Sequence, residues 1–218
     1  MTFSDLRRRF DLRGDSGLSL MEVIVAIAIM TIVSTAAASL SINGLKTVAT
    51  EERAQVAVTI ANGSMEKVSG WSVAVNSSTG MSNLYNGRSK GDVQNAFTAY
   101  ASRPGVAQTN AAWDGTVPVA ASTAPATTGS LPVQIAVTQN GTAYTVTTLI
   151  GGCYQQAAYP TTTATASCTA TAGTAPDPMI RVIVIVYWTA GPQCATSGCY
   201  YQTSTLLDPS NDLEWVTH

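Results

Sequence analysis

At 218 residues the chain is long enough for one packed domain plus one extended element. Only 11% of its residues are charged, and the last hundred positions hold a single basic residue, Arg181, so no basic groove for nucleic acid can be built from them. The formal net charge of −2 likewise gives no footprint for a polyanion.

Residues 1–17, MTFSDLRRRFDLRGDSG, form a polar leader carrying Arg7, Arg8, Arg9 and Arg13. The pattern then changes abruptly, and from Val23 to Leu45 there is no charged residue. As a helix rising about 1.5 Å per residue, that stretch spans roughly 34 Å, enough to cross the hydrocarbon core of a bilayer. With arginines before it and few basic groups after it, the positive-inside rule orients the leader to the cytoplasm and the rest outside.

Glu22 is the anomaly of this segment, because a carboxylate costs about 2.5–3.5 kcal/mol at the centre of a membrane helix and less near its end. Cleavage after Gly17 would supply a partner: the new α-amine on Leu18, with an ordinary pKa of about 7.7–8.0, is mostly protonated at neutral pH. Leu18 and Glu22 lie one helical turn apart, so the amine has two possible partners, its own glutamate or that of an axially staggered neighbour.

Gly17, Leu18, Ser19, Leu20, Met21 and Glu22, followed by the long apolar run, resemble the N-terminal signature of type IV prepilins and type II secretion pseudopilins. The resemblance covers about 30 residues. It implies a prepilin peptidase that cuts after Gly17, methylation of Leu18, and a role for Glu22 in docking into a growing filament. Two departures stand out: Leu18 replaces the usual aromatic residue, and the leader is longer than in the shortest-leader pilins. An ordinary signal peptide is the competing reading, with Ala36 to Ser39 as its cleavage region and Arg7 to Phe10 hinting at a twin-arginine motif. Its apolar region would hold only about 7–15 residues and has no use for a glutamate.

Past Lys46, helical spacing continues in Val56, Ala57, Ile60, Ala61, Ser64, Met65 and Val68, with Glu52, Gln55, Thr59, Asn62 and Glu66 largely on the opposite side. The expectation is one helix from about Leu18 to Ser69, ending near Gly70. Its protruding apolar half would be residues 18–45 and its amphipathic half residues 46–70. Asn43 and Gly44, poor helix formers, mark a place for a bend or local melting during filament packing.

Residues 71–218 read as a head. Its first part, 71–130, is loop-like, with a short helix around Val93 to Ala101 and a Thr/Ala/Pro linker from Thr116 to Ser130. Its second part, 131–218, reads as an antiparallel sheet. Leu131 to Gln139, an Asn140-Gly141 turn and Thr142 to Ile150 form a hairpin; Met179 to Thr189 and Tyr200 to Leu207 follow as strands. The expected class is therefore α+β, pilin-like, with the long helix packed on a four-stranded antiparallel meander.

Cys153, Cys168, Cys194 and Cys199 all lie in the C-terminal third. An even number in a Thr- and Gly-rich region points to disulfides and an oxidising compartment, and the absence of a CxxC pair argues against zinc. Proximity favours Cys153 with Cys168 and Cys194 with Cys199, although three connectivities are possible. The only histidine is His218, and there is no phosphate loop, dinucleotide fingerprint or activated nucleophile, so no enzyme, cofactor or metal is expected. Asp92, Asp114, Asp177, Asp208 and Asp212 read as solvated or turn-forming.

These observations point to a structural filament subunit, a pilin or minor pilin held in a bacterial cytoplasmic membrane before extraction into an extracellular filament. Its expected partners are the prepilin peptidase, other pilin subunits and the pilus assembly machinery. A pseudopilin of a secretion machine shares the same N-terminal chemistry. The reading from another class is a secreted binding or adhesion domain released by signal peptidase.

Overall fold

The computed structural model describes residues 19–71, 75–76, 81–119, 131–156, 168–172 and 176–209. The leader, Leu18 and most of the Thr/Ala/Pro linker lie outside these residues. The chain divides into two compact units, with the boundary at Val48 and Ala49.

The first unit consists, in its described residues, of the N-terminal part of helix α1 (Leu20–Ser69). Helical structure continues without interruption through Asn43 and Gly44. The remainder of α1 belongs to the second unit and is amphipathic as its sequence requires. Ala57, Ala61 and Val68 are fully buried, flanked by the partly buried Ala54, Val56, Ile60 and Met65. Small residues at Ala57 and Ala61, one turn apart, let the helix backbone lie close to the sheet beneath it.

The strands follow in chain order. β1 (Val75–Asn76) and β2 (Met81–Ser82) pair with each other. After α2 (Lys90–Ala99) come β3 (Asn110–Ala111), β4 (Gln134–Gln139) and β5 (Thr142–Gln156). They are followed by β6 (Cys168–Thr169), β7 (Pro176–Trp188) and β8 (Cys199–Leu207). β7 lies between β5 and β8, and every pairing is antiparallel. The other edge of β5 carries three strands in succession: β4 along Thr142 to Thr147, β3 at Gly151 and Gly152, and β6 at Tyr154 and Gln155. The main sheet thus has six strands rather than the expected four. β5 runs past Ile150, and its extension is paired by two strands of two residues each, too short to show a period in sequence.

The β4–β5 hairpin turns at Asn140 (φ 50°) and Gly141 (φ 71°), the two positive values that a type I′ turn demands. The sheet is covered on both faces. Tyr144, Val146, Ile150, Val182, Val184, Val186 and Trp188 pack toward α1. Leu149, Ile183 and Ile185 pack with Val106 against Ala96, Phe97 and Tyr100, in and just after α2. That double cover explains the unbroken Val/Ile run of β7, since a strand buried on both sides loses the alternation of a half-buried one.

Two buried arginines tie loops to this sheet. Arg88 is fully buried and donates through Nη1 to the Leu131 carbonyl (2.8 Å) and through Nη2 to the Thr148 carbonyl (2.5 Å). It thereby occupies the place on the β5 edge where β4 pairing has ended and β3 pairing has not begun. Burial pushes its pKa down to about 10, partly offset by Tyr85, whose own burial raises its phenol to about 12; Arg88 stays charged at neutral pH. Arg181 donates to the carbonyls of Gly105 (3.0 Å) and Cys168 (2.8 Å) and to the Thr109 hydroxyl (3.3 Å). Arg88→Ala is expected to leave two buried carbonyls without donors, at about 1–3 kcal/mol each, and to lower the thermal midpoint followed by circular dichroism of the full chain in detergent.

Disulfides join Cys153 to Cys168 (Cα–Cα 5.4 Å) and Cys194 to Cys199 (5.0 Å), the pairs favoured by proximity. Two aspartates have defined duties. Asp92 is buried in the first turn of α2, where the Ser89 hydroxyl both accepts from its backbone N–H (3.2 Å) and donates to its carboxylate (2.5 Å). It is a capping residue and not a solvated one. Asp114 forms a turn, accepting from the backbone and hydroxyl of Thr116 and from the Gly87 N–H. Those bonds hold its carboxyl below the usual range.

Candidate assembly site

The Ser19 carbonyl accepts from the backbone N–H groups of Glu22 (2.8 Å) and Val23 (3.2 Å), closing the first turn of α1. Glu22 is exposed in that turn. A carboxylate there faces the positive end of the helix dipole, which offsets part of the cost of carrying it at the head of an apolar segment.

Beyond Glu22 the first unit buries none of its large apolar side chains. Leu20 is 78% exposed, Met30 70% and Leu45 71%, and Val23, Ile24, Val25, Ile27, Ile29, Ile32 and Val33 stand open in every direction around the helix. A helix apolar on all sides belongs in lipid or in a bundle of other helices. Among the described residues, α1 is the one helix long and apolar enough to cross a membrane. Glu22 also borders a shallow, mostly apolar depression formed with Ala26, Ile27, Met30, Thr31 and Ser34.

Five hydroxyls of this stretch of α1 are closed internally. Thr31 donates to the Ile27 carbonyl, Thr35 to Thr31 (3.0 Å), Ser39 to Thr35 (3.0 Å), Ser41 to Ala37 (2.9 Å) and Thr47 to Asn43 (3.1 Å). Each is a bond to the carbonyl four residues back, so none of these polar groups needs water or a neighbour when the helix is surrounded by apolar groups.

Of the residues that the sequence singles out, Gly17 and Leu18 lie outside the described residues, Glu22 lies at the start of α1, and the four cysteines lie in the second unit. Sequence reasoning missed the hydroxyl ladder, although its four-residue spacing was visible. It also missed a contact in the second unit: the Asn140 Nδ2 donates to the Glu52 Oε1 (3.2 Å) and the Tyr144 hydroxyl to the Arg53 carbonyl (3.3 Å), pinning the hairpin to α1. Among the described residues no three His, Cys, Asp or Glu side chains cluster closely enough to hold a metal.

Residues 12–38 match the family described as the prokaryotic N-terminal methylation motif. No curated protein and no solved structure matches the chain. The matched span covers the glycine, the glutamate and the start of the uncovered apolar helix; through this segment the chain carries the methylation motif of the type IV prepilin and pseudopilin family.

Proposed function

We propose that the protein is a structural subunit, a pilin or minor pilin, of a type IV pilus-like filament, assembled from the cytoplasmic membrane through α1. The observation that carries this reading is the coincidence of the methylation motif at 12–38 with a helix whose apolar residues are exposed all round. In this reading the prepilin peptidase cuts after Gly17, and the helix then rests in the membrane with its N-terminus inside and the head outside. The methylated α-amine of Leu18 pairs with Glu22 of an adjacent subunit, so that each incoming chain is placed one axial step from the last. Helices pack into the filament core and the disulfide-closed heads face outward. A pseudopilin of a secretion machine uses the same N-terminal chemistry and remains the alternative within the family.

Intact and peptide mass spectrometry of the mature protein tests the processing step. The expected N-terminus is Leu18 with one added methyl group, and Gly17→Leu is expected to accumulate as uncleaved precursor in the membrane fraction. A mature start near Ala38 or Ser39 would instead identify a domain released by signal peptidase.

A further inference from the structure

The chain contains four Asn-Gly pairs: Asn43-Gly44, Asn62-Gly63, Asn86-Gly87 and Asn140-Gly141. Asn-Gly is the dipeptide in which a backbone nitrogen most readily attacks the preceding side chain, because glycine presents no Cβ to block it. The fold treats the four pairs differently. Gly44 and Gly63 lie inside α1, where their N–H groups belong to the i→i−4 ladder and the helical backbone holds the nitrogen away from the asparagine side chain. The Gly87 N–H is committed to the Asp114 carboxylate at 2.8 Å, and the Asn86 amide is held by Asn83 (3.4 Å). Gly141 is the exception. It is the second residue of a two-residue turn, outside the Gln139–Thr142 ladder pair, exposed, and with open space where a Cβ would stand.

We infer that Asn140 is a site of self-catalysed covalent modification, a deamidation that breaks the bond of the hairpin turn to Glu52 on α1. The Gly141 nitrogen attacks the Asn140 side-chain carbonyl carbon, ammonia leaves, and a five-membered succinimide closes. Water then opens the ring at one or other carbonyl, giving aspartate or isoaspartate; no catalyst or further reactant is required. Either product removes the Nδ2 donor that binds Glu52 and replaces it with a carboxylate beside the Glu52 carboxylate. Arg53 borders the same small pocket, with its Nη1 directed to the Ala49 carbonyl (3.2 Å). Like charges in contact disfavour each other, and isoaspartate also inserts an extra main-chain carbon into a turn whose two positive φ angles admit no slack. The hairpin therefore carries a slow, irreversible mark of the age of the subunit, read out where β4 and β5 meet the helix.

The test ages the full chain in detergent at mildly alkaline pH and, alongside it, the proteolytic peptides of the same chain, then counts aspartate and isoaspartate at the four asparagines by mass spectrometry. In the peptides all four are expected to convert at similar rates. In the folded chain Asn140 is expected to keep close to its peptide rate while Asn43, Asn62 and Asn86 slow by on the order of tenfold or more, since they react only through local opening. Folded-state conversion at Asn140 as slow as at the other three would overturn the assignment. For the consequence, Asn140→Asp is expected to melt below the parent chain, with Glu52→Gln in the same chain recovering the loss; a variant that melts like the parent would overturn the proposed loss of the Glu52 contact.

Discussion

Gly151→Ala is expected to destabilise the second unit by about 1–3 kcal/mol, the usual cost of forcing an extra methyl into a packed site. A Cβ at this position would stand 2.2 Å from the Asn110 carbonyl oxygen and 2.8 Å from a Thr109 methyl. The first is backbone of β3, the register partner of β5 at this point, so the strand must move as a whole. Thr109 also receives Arg181, and the displacement would loosen the clamp that joins Gly105 and Cys168 to β7. Its neighbour supplies the control: a Cβ on Gly152 meets nothing within 4 Å. Gly152→Ala is therefore expected to melt at or slightly above the parent temperature. Thermal denaturation of both variants, followed by circular dichroism, checks the pair, and equal midpoints would count against the close approach of β3.

Glu22→Ala is expected to leave membrane insertion intact or improved and to reduce filament incorporation to a small fraction of normal. The two effects separate because the carboxylate opposes insertion, whereas in the proposed mechanism it supplies the counter-charge for the amine that processing would create. Fractionation of cells into membrane and sheared filament pools measures both. Normal assembly of the variant would remove the pairing of Leu18 with Glu22 from the proposed mechanism. Glu22→Gln is the sharper probe, since it keeps the size of the side chain and removes only its charge.

The features legible in sequence were those carried by long periodic segments or by obligatory turn chemistry. The uncharged run from Val23 to Leu45, the stripe through Ala57, Ala61 and Val68, and the Asn140-Gly141 turn all lie as their residues dictate. The expected strand stops at Ile150, whereas β5 runs on to Gln156 and Gly151 marks where another backbone comes close. The start of α2 was placed three residues late, although Ser89 followed by Asp92 was a visible capping signal. Arg88 and Arg181 could not be found, because nothing local tells a buried arginine bonded to carbonyls from a surface one. Their roles depend on Leu131, Thr148, Gly105 and Cys168, distant along the chain. For Glu22 the sequence was informative through its incongruity: a lone charge in an apolar segment draws attention because its cost needs a return.

The back-bonded hydroxyls of Thr31, Thr35, Ser39 and Ser41 bear on reversibility. A transmembrane helix that relied on hydroxyl contacts with its neighbours would be held by them, and leaving those neighbours would expose unmet donors to hydrocarbon. Here each of these four donors travels with its own acceptor, so these hydroxyls ask the same of lipid as of other helices. A helix of this kind can change surroundings without breaking any of these four bonds.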